Sequence, residues 1–330
     1  MKVLMVGRKP SIALEELRHY WGDVDVSTGF TPRMRRYDLV VAQEPTLRVG
    51  LPALTQAKLS GAAFVCEVHS NYLQTGFLPL KDFMAAKIVL KSSDLVRAVS
   101  SQIAGSLRSW GVKNVIVIPS VYIKLELFRP LTMHSQRRPV VLSASRLVPE
   151  KGLGLLIDAV PKMLRSLPTL EVRVVGDGPE RSRLEALVRR RGLEGVVRFF
   201  GWVGQDELVK HYNEAAVFVC TSFHEGGPRT VFEAAACHTP FVSTAVGLVP
   251  EFFTDGREGF IIRERNSDLL AEHVLQLLEN PDLRQEMGVR GREVVEKEFE
   301  WRKAIKKYAT AYLKIFRKDV RSRPFSKNSQ

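Results

Sequence analysis

The stretch SFHEGGPRTVFEAAACHTPFVST, residues 222–244, places Glu225 and Glu233 eight positions apart around a Gly-Gly-Pro turn. It is entered from AVFVCTS (216–222), a continuous apolar run, and it leads into a second such run, FVSTAV (241–246). Between the two runs lies a short apolar pattern of helical spacing. The order therefore reads strand, loop, helix, strand. Pro228 suits the first position of that helix. Gly226 and Gly227 let the backbone bend and approach a ligand closely, and the N–H groups of a helix start attract phosphate. Glu225 falls in the loop and Glu233 about one and a half turns into the helix, so both can point toward one cleft at different depths. Carboxylates accept hydrogen bonds from sugar or ribose hydroxyls. Taken alone, two such residues are more often plain acidic charge near a helix N-terminus.

The same alternation extends in both directions. Upstream come strand patterns at VVLSAS (140–145), LEVRVVGDGPE (170–180, with its turn) and VVRFFG (196–201). Helical patterns separate them at 154–168, 180–192 and 206–215. Downstream follow the strand GFIIR (259–263) and helices over 267–280 and 283–299. Near the start, KVLMVG (2–7), YDLVVAQ (37–43), AAFVCEVHS (62–70), DLVRAVS (94–100) and NVIVIPS (114–120) read as strands, with helices over 80–93 and 101–111. Strands alternating with helices imply parallel sheets covered on both faces. FRPLTMHSQRRP breaks the rhythm and reads as a linker. The fold class is therefore α/β, with two doubly wound, Rossmann-like domains at 1–127 and 140–300. The linker is 128–139, and a basic amphipathic helix (301–318) and a basic tail (319–330) follow. Ligands of open α/β sheets sit beyond the carboxyl ends of the strands, so a cleft between two such domains is the expected site.

Composition narrows the classes. No apolar run approaches the roughly 20 residues of a membrane span, and MKVLMVGRKPS turns charged too early for a signal peptide. Cys66, Cys220 and Cys237 are odd in number and sit among apolar residues, which reads as reduced core thiols in a cytoplasmic protein. No Cys or His grouping has metal-ligand spacing, so no metal is expected. The net charge of +13 is uneven: residues 1–130 hold 17 Lys/Arg against 10 Asp/Glu, residues 131–300 hold 22 against 25, and residues 301–330 hold 10 against 1. Positive charge at the front and in the tail points to an anionic membrane surface or phosphorylated ligands. It is not joined to aromatic stacking motifs, which argues against nucleic acid. Asp23-Val-Asp25 resembles a metal-binding D-x-D, but it lies in a short early strand and reads as structural.

Two further motifs share the second domain. In SASRLVPEKG (143–152), Arg146 and Lys151 occupy a loop after a strand and before a helix, a diphosphate-binding arrangement. VVGDGPE (174–180) is a glycine turn after the next strand. The G-x-G-x-x-G frame of a nicotinamide site is missing. Taken in order, R-x4-K, GDGPE, FFGWV, EGGPRTVFEAAACHTPFVST and EFFTDGREGF resemble the donor-binding half of retaining glycosyltransferases of family four. The resemblance is close over 140–300, looser over 93–120 and faint over the first 80 residues. It implies the GT-B type fold, in which two Rossmann-like domains face each other and the C-terminal helix crosses back to the first.

The resemblance also implies roles. Arg146 and Lys151 would hold the donor diphosphate and stabilise the leaving group. Glu233 would bind the ribose hydroxyls, Glu225 with the amides of Gly226 and Gly227 would hold the donor sugar, and Val203 would lie against the base. His69, at the end of the strand closing on EVHS, matches a histidine brought to the donor sugar, and Gly7 a glycine loop facing the diphosphate. Glu225, His69, Arg146 and Lys151 form the expected catalytic set. Three departures stand out: Ala144-Ser145 precedes Arg146 where the family has Gly, His238 replaces the Gly of a CGTP pattern, and PSVYIKLELF occupies the place of a PNGVD-type turn.

The expected activity is transfer of a sugar from a UDP- or GDP-linked donor to an acceptor hydroxyl, with retention of anomeric configuration and without cofactor or metal. The electropositive cradle would stabilise the departing diphosphate. The charge layout favours a lipid-linked acceptor and peripheral attachment at a membrane's inner face. The same fold would also serve a phosphorylase, a nucleotide-sugar epimerase or a non-catalytic nucleotide-sugar-binding subunit.

Overall fold

The computed structural model describes residues 1–7, 12–28, 35–69, 79–133 and 136–322. It divides into two compact units, Met1–Ser120 with Arg302–Gln330, and Val121–Trp301.

The first unit holds six parallel strands, β1 (Lys2–Val6), β2 (Asp23–Ser27), β3 (Leu39–Ala42), β4 (Ala63–Val68), β5 (Leu95–Ala98) and β6 (Val115–Val117), in the order β2-β1-β3-β4-β5-β6. Its helices are α1 (Ile12–Trp21), α2 (Gly50–Ser60), α3 (Leu80–Lys91) and α4 (Ser101–Ser109). Strands β3, β4 and β5 are buried at every position, the pattern of a sheet covered on both faces. That is why they read as unbroken apolar runs.

The second unit holds β7 (Val140–Ala144), β8 (Glu171–Val175), β9 (Val197–Gly201), β10 (Val217–Cys220), β11 (Phe241–Thr244) and β12 (Phe260–Ile262), again parallel, ordered β12-β11-β10-β7-β8-β9. The chain winds one way from β7 to β9 and then the other way from β10 to β12. The order therefore reverses between β7 and β10, the switch point where doubly wound sheets bind ligands. Helices α5 (Gly154–Ser166), α6 (Arg181–Arg190), α7 (Gln205–Glu214), α8 (Arg229–Ala236), α9 (Val249–Phe252), α10 (Ser267–Glu279) and α11 (Pro281–Glu298) connect the strands and complete the layers. Asn266 caps α10, its side-chain oxygen accepting from the amides of Asp268 and Leu269, and Asn280 caps α11 through the Leu283 amide.

Helix α12 (Trp301–Ser322) returns to the first unit. Its buried stripe, Ala304, Ile305, Tyr308, Ala309 and Tyr312, follows helical spacing. Trp21 of α1 receives it: the indole donates to the Ala309 carbonyl at 3.2 Å and stacks on Tyr312 with centroids 5.6 Å apart.

The unit boundary differs from the sequence-based one at 127. Val121, Ile123 and Phe128 are buried in the core of the second unit. Ile123 bridges to Glu300, and its amide donates to the Phe299 carbonyl at 2.8 Å. The segment that departs from the family turn is thus apolar because it adds to this core. The expected linker is anchored too: the Arg137 guanidinium is buried and donates to the carbonyls of Ala215 and Cys237 and to the Thr239 hydroxyl. Among the described residues no helix is long and apolar enough to cross a membrane.

Candidate active site

The carboxyl ends of β7, β8 and β10 surround a cavity of about 470 Å³ in the second unit, at the switch point. Glycines shape its floor. Gly176, after β8, has φ 122 and passes so close to the Ser145 carbonyl that no Cβ would fit. Gly178 is packed in the same way against the Leu147 carbonyl. The GDGPE turn is therefore glycine-rich because it lies directly on the loop that carries Arg146. Backbone bonds lock the two together, with the Leu147 amide donating to Asp177 O at 2.9 Å and the Glu180 amide to Leu147 O at 2.9 Å.

Arg146 lines the cavity with its side chain 63% exposed and only a loose 3.6 Å pairing to Glu150. Lys151 is more enclosed. Its ammonium forms an ion pair with Glu225, each side chain 15% exposed, and the Ser222 hydroxyl donates to the same Glu225 oxygen at 2.8 Å. Arg265 secures the surrounding backbone by donating to the carbonyls of Thr221 (2.6 Å) and Gly152 (3.3 Å), and its guanidinium lies 3.6 Å from the Phe223 ring centroid.

The EGGP loop is equally constrained. A Cβ on Gly227 would come 2.8 Å from Leu248 Cδ1 and 3.0 Å from Val121 Cγ2. Gly247, at φ 53, faces the carbonyls of Glu225 and Gly226, which a Cβ would meet at 2.8 and 2.6 Å. The first turn of α8 then brings Pro228, Arg229 and Thr230 to the cavity wall. His238, at the end of α8, has φ 59, a left-handed conformation that favours glycine. A glycine at this position, as in a CGTP pattern, would take that conformation without strain.

The cavity thus gathers Arg146, Lys151, Val203, Glu225 and Gly227. Gly226 and Glu233 are not among its lining residues. Glu233, expected to share a cleft with Glu225, is 5% exposed, and both oxygens are engaged, by Arg229 Nε at 2.8 Å and the Tyr212 hydroxyl at 3.1 Å. Burial pushes its carboxyl above the usual range, although Arg229 and Tyr212 act to lower it. Glu233 therefore stands behind the cavity wall, joined to it through Arg229, which lines the cavity and donates to the carboxylate.

His69 and Gly7 belong to the first unit. Gly7, at φ 91, follows β1 where that sheet's order reverses, and a Cβ would meet Val49 at 2.6 Å. His69 follows β4 and is one-third exposed, its Nε2 3.1 Å from Glu67 Oε2. Asp23 and Asp25 pair with Arg35, and Tyr37 donates to Asp25 at 2.7 Å, which accounts for the D-x-D as a surface ion network. All three cysteines are buried free thiols. Among the described residues no cluster of three or more His, Cys, Asp or Glu side chains could hold a metal.

Sequence reasoning missed Ser222, Arg229, Trp202 and Arg265. Ser222 and Arg229 stand within the opening motif, and the Glu233 spacing drew attention away from them. Trp202, 75% exposed at the cavity rim, adjoins Val203. A large exposed aromatic beside a binding motif was the available signal. Arg265 lies far along the chain, and no spacing rule links it to residues 152 and 221.

Comparison with known proteins supplies the family. Residues 127–294 match the family described as glycosyl transferases group 1, and residues 5–120 match the glycosyl transferase 4-like domain. The chain is 33% identical over 172 residues to a GDP-mannose-dependent alpha-(1-6)-phosphatidylinositol monomannoside mannosyltransferase of Mycolicibacterium smegmatis, covering 50% of this chain and 45% of that enzyme. The matched region is thus less than half of that relative. A Mycobacterium tuberculosis enzyme of the same description is 28% identical over 264 residues, covering 74% of this chain and 68% of its own. Among solved structures, Anabaena Alr3699/HepE in complex with UDP aligns with a TM-score of 0.80 at 20% identity, over 95% of this chain and 100% of that one. Sucrose-phosphate synthase from Thermosynechococcus elongatus aligns with a TM-score of 0.80 at 19% identity, over 96% and 100%. These last two likenesses establish the GT-B fold.

Proposed function

The chain belongs to the glycosyl transferases group 1 family, and on that premise we propose that it transfers a sugar from a nucleotide-diphosphate donor to an acceptor hydroxyl with retention of configuration. The observation that carries this reading is the partly open ion pair of Lys151 and Glu225, beside the nearly free guanidinium of Arg146 and the first turn of α8. A sugar diphosphate can exchange partners with that pair. Its phosphate takes Lys151 and Arg146, and a sugar hydroxyl donates to Glu225. As the bond from the anomeric carbon to the diphosphate oxygen breaks, negative charge grows on the leaving oxygen. The two cations and the start of α8 line the same cavity, so their charge is already at hand to stabilise it. The acceptor hydroxyl attacks from the same face and gives its proton to the departing phosphate, which leaves no role for a protein nucleophile. These cations supply the charge that a metal would otherwise provide.

The donor nucleoside fits the rim. Val203 and Trp202 offer an apolar surface to the base. Glu233 is the partner for the ribose hydroxyls once Arg229, about half exposed, releases one of its oxygens. The acceptor follows from the first unit. Leu80, Met84 and Ile88 of α3 are exposed at i, i+4 spacing, and the exposed Lys81, Lys87 and Lys91 share the arc with them. An apolar stripe among lysines suits an anionic bilayer surface. The mycobacterial relatives are named for a phosphatidylinositol-linked acceptor. A lipid-linked acceptor, met at the cytoplasmic face of a membrane, is the reading these features support.

The test is thermal unfolding with UDP, GDP, ADP and their sugar conjugates. A ligand at 100 times its Kd adds about 2.7 kcal/mol. One nucleotide series should raise Tm, and Lys151→Met should cut the stabilisation to about half or less. No shift with any nucleotide would refute the donor site. NMR of the product, in the presence of a chelator, reads the anomeric configuration and the need for metal together; an inverted product would end the retaining reading. Co-sedimentation with anionic vesicles should weaken in Lys81→Glu/Lys87→Glu, by about 1 kcal/mol per lysine removed.

A further inference from the structure

Glu67 and His69 stand two residues apart at the end of β4, on the same side of the strand. The Glu67 carboxylate is fully buried. Its Oε1 accepts from the hydroxyls of Tyr308 and Tyr312, the latter at 2.8 Å. Its Oε2 accepts from Arg97 Nη1 at 2.9 Å and faces His69 Nε2 at 3.1 Å. Arg97 is held in turn. Its Nε donates to the Ile118 carbonyl at 2.9 Å, its Nη2 to the Pro119 carbonyl at 2.7 Å, and the guanidinium lies 4.6 Å from the Tyr308 ring centroid.

An ionised carboxylate has about four acceptor sites and no donor. Arg97 and the two tyrosines take three of them. The fourth faces a histidine that reaches the surface. Burial works to raise the Glu67 carboxyl, but the Arg97 charge and the hydrogen bonds from His69 and Tyr308 overcome it and hold the group well below the ordinary range. An acceptor that cannot donate obliges the ring nitrogen facing it to carry a proton.

We propose that Glu67 is a positioning residue for His69. It fixes the imidazole with Nε2 carrying the proton toward Glu67, so that Nδ1 is the ring atom presented to a sugar hydroxyl. This deepens, and rests on, the reading of His69 as a contact to the donor sugar. Helix α12 takes part in the device because it supplies both tyrosines. Among the described residues, the charged and titratable groups around the pair are Arg97, Tyr308 and Tyr312, with Cys66 and Glu44 nearby.

The experiment is 15N NMR of the full chain labelled at its histidines, at about pH 8.5, where an ordinary histidine is neutral. His69→Gln assigns the signal. The wild-type ring should show Nε2 protonated and Nδ1 bare. Glu67→Gln, which keeps an oxygen toward Arg97 and His69 and can donate its amide to a tyrosine, should retain that tautomer. Glu67→Leu/Arg97→Leu, which removes the pair without stranding a charge, should give a mixed population. Wild-type protonation at Nδ1, or a folded double variant with an unchanged ring, would overturn the proposal. Should the double variant not fold, any measurable Nδ1-protonated fraction in the wild type overturns the proposal, since an unconstrained ring is a mixture and a fixed one is not.

Turnover of the donor sugar separates the two layers. kcat should fall roughly five- to tenfold in the double variant, with nucleoside-diphosphate Kd unchanged. A changed tautomer with unchanged turnover upholds the positioning and refutes the sugar contact.

Discussion

The two units each enclose a carboxylate, a cation and a hydroxyl, and they use the set in opposite ways. In the second unit Glu225, Lys151 and Ser222 stand at a cavity wall, partly open to solvent. In the first, Glu67, Arg97, Tyr308 and Tyr312 are sealed at essentially zero exposure. A half-open ion pair is weakly held by water and by its partner, so a ligand can take both charges over. A sealed pair has no such competitor. Its desolvation has already been offset by hydrogen bonds, and removing one member leaves the other without a substitute. The difference separates a place for exchange from a place for fixing geometry.

The comparison breaks most visibly through the cations. Arg97→Met should cost the first unit about 3–5 kcal/mol by stranding a buried carboxylate, read as lost hydrogen-exchange protection of β4 and β5. Glu67→Leu/Arg97→Leu should recover most of that. Lys151→Met should cost less, about 1–3 kcal/mol, because Ser222 still donates to Glu225. Equal costs at both sites would remove the distinction. Acid sharpens it. The folded value of Glu67 lies below its unfolded one. Its stabilisation is therefore complete above about pH 4.3, and it is lost as pH falls through the depressed value. Glu67→Gln should flatten that part of the acid limb in a urea series.

Next in size is ligand affinity. Lys151→Met should raise the nucleoside-diphosphate Kd by about ten- to hundredfold, or 1.5–3 kcal/mol, in titration calorimetry. An unchanged Kd would mean that the open pair exchanges with nothing.

The smallest effect belongs to Glu233, a buried carboxylate whose folded value is raised by burial. A raised value means that the folded state favours the proton. The contribution is favourable below the unfolded value and is lost as pH rises through the folded one. Glu233→Gln should therefore raise Tm slightly at pH 7, the gain shrinking toward pH 4, while nucleotide binding weakens. A Tm that falls at pH 7 would show Glu233 to be a stabilising partner of Arg229.

Much of this was legible in the chain. Both sheets appear as unbroken apolar runs because parallel strands are buried on both faces. The loops of the second unit are legible because glycine is required where Gly176, Gly178, Gly227 and Gly247 touch a neighbouring carbonyl or side chain. The first unit was harder. Helix α2 buries Gly50, Ala53, Leu54, Gln56 and Ala57 and shows little contrast between its faces, so periodicity passed over it. Glu225 and Glu233 looked equivalent in sequence. Their difference rests on Tyr212, which arrives from α7, and no local pattern announces a partner twenty-one residues away. Glu67 and Arg97 went unnoticed for the same reason, since the tyrosines that complete their network lie at the far end of the chain.

That last separation has a consequence for how the protein is made. Arg97 and Tyr308 are parted by roughly 200 residues, and a ribosome adding about 5–20 residues each second takes on the order of ten to forty seconds to cover them. Throughout that interval the nascent first unit holds Trp21 without its stacking partner and Glu67 without either hydroxyl, and the whole of the second unit, to Trp301, is synthesised before Tyr308. Synthesis order and maturation order are therefore reversed, and the half of the molecule translated first is the half completed last.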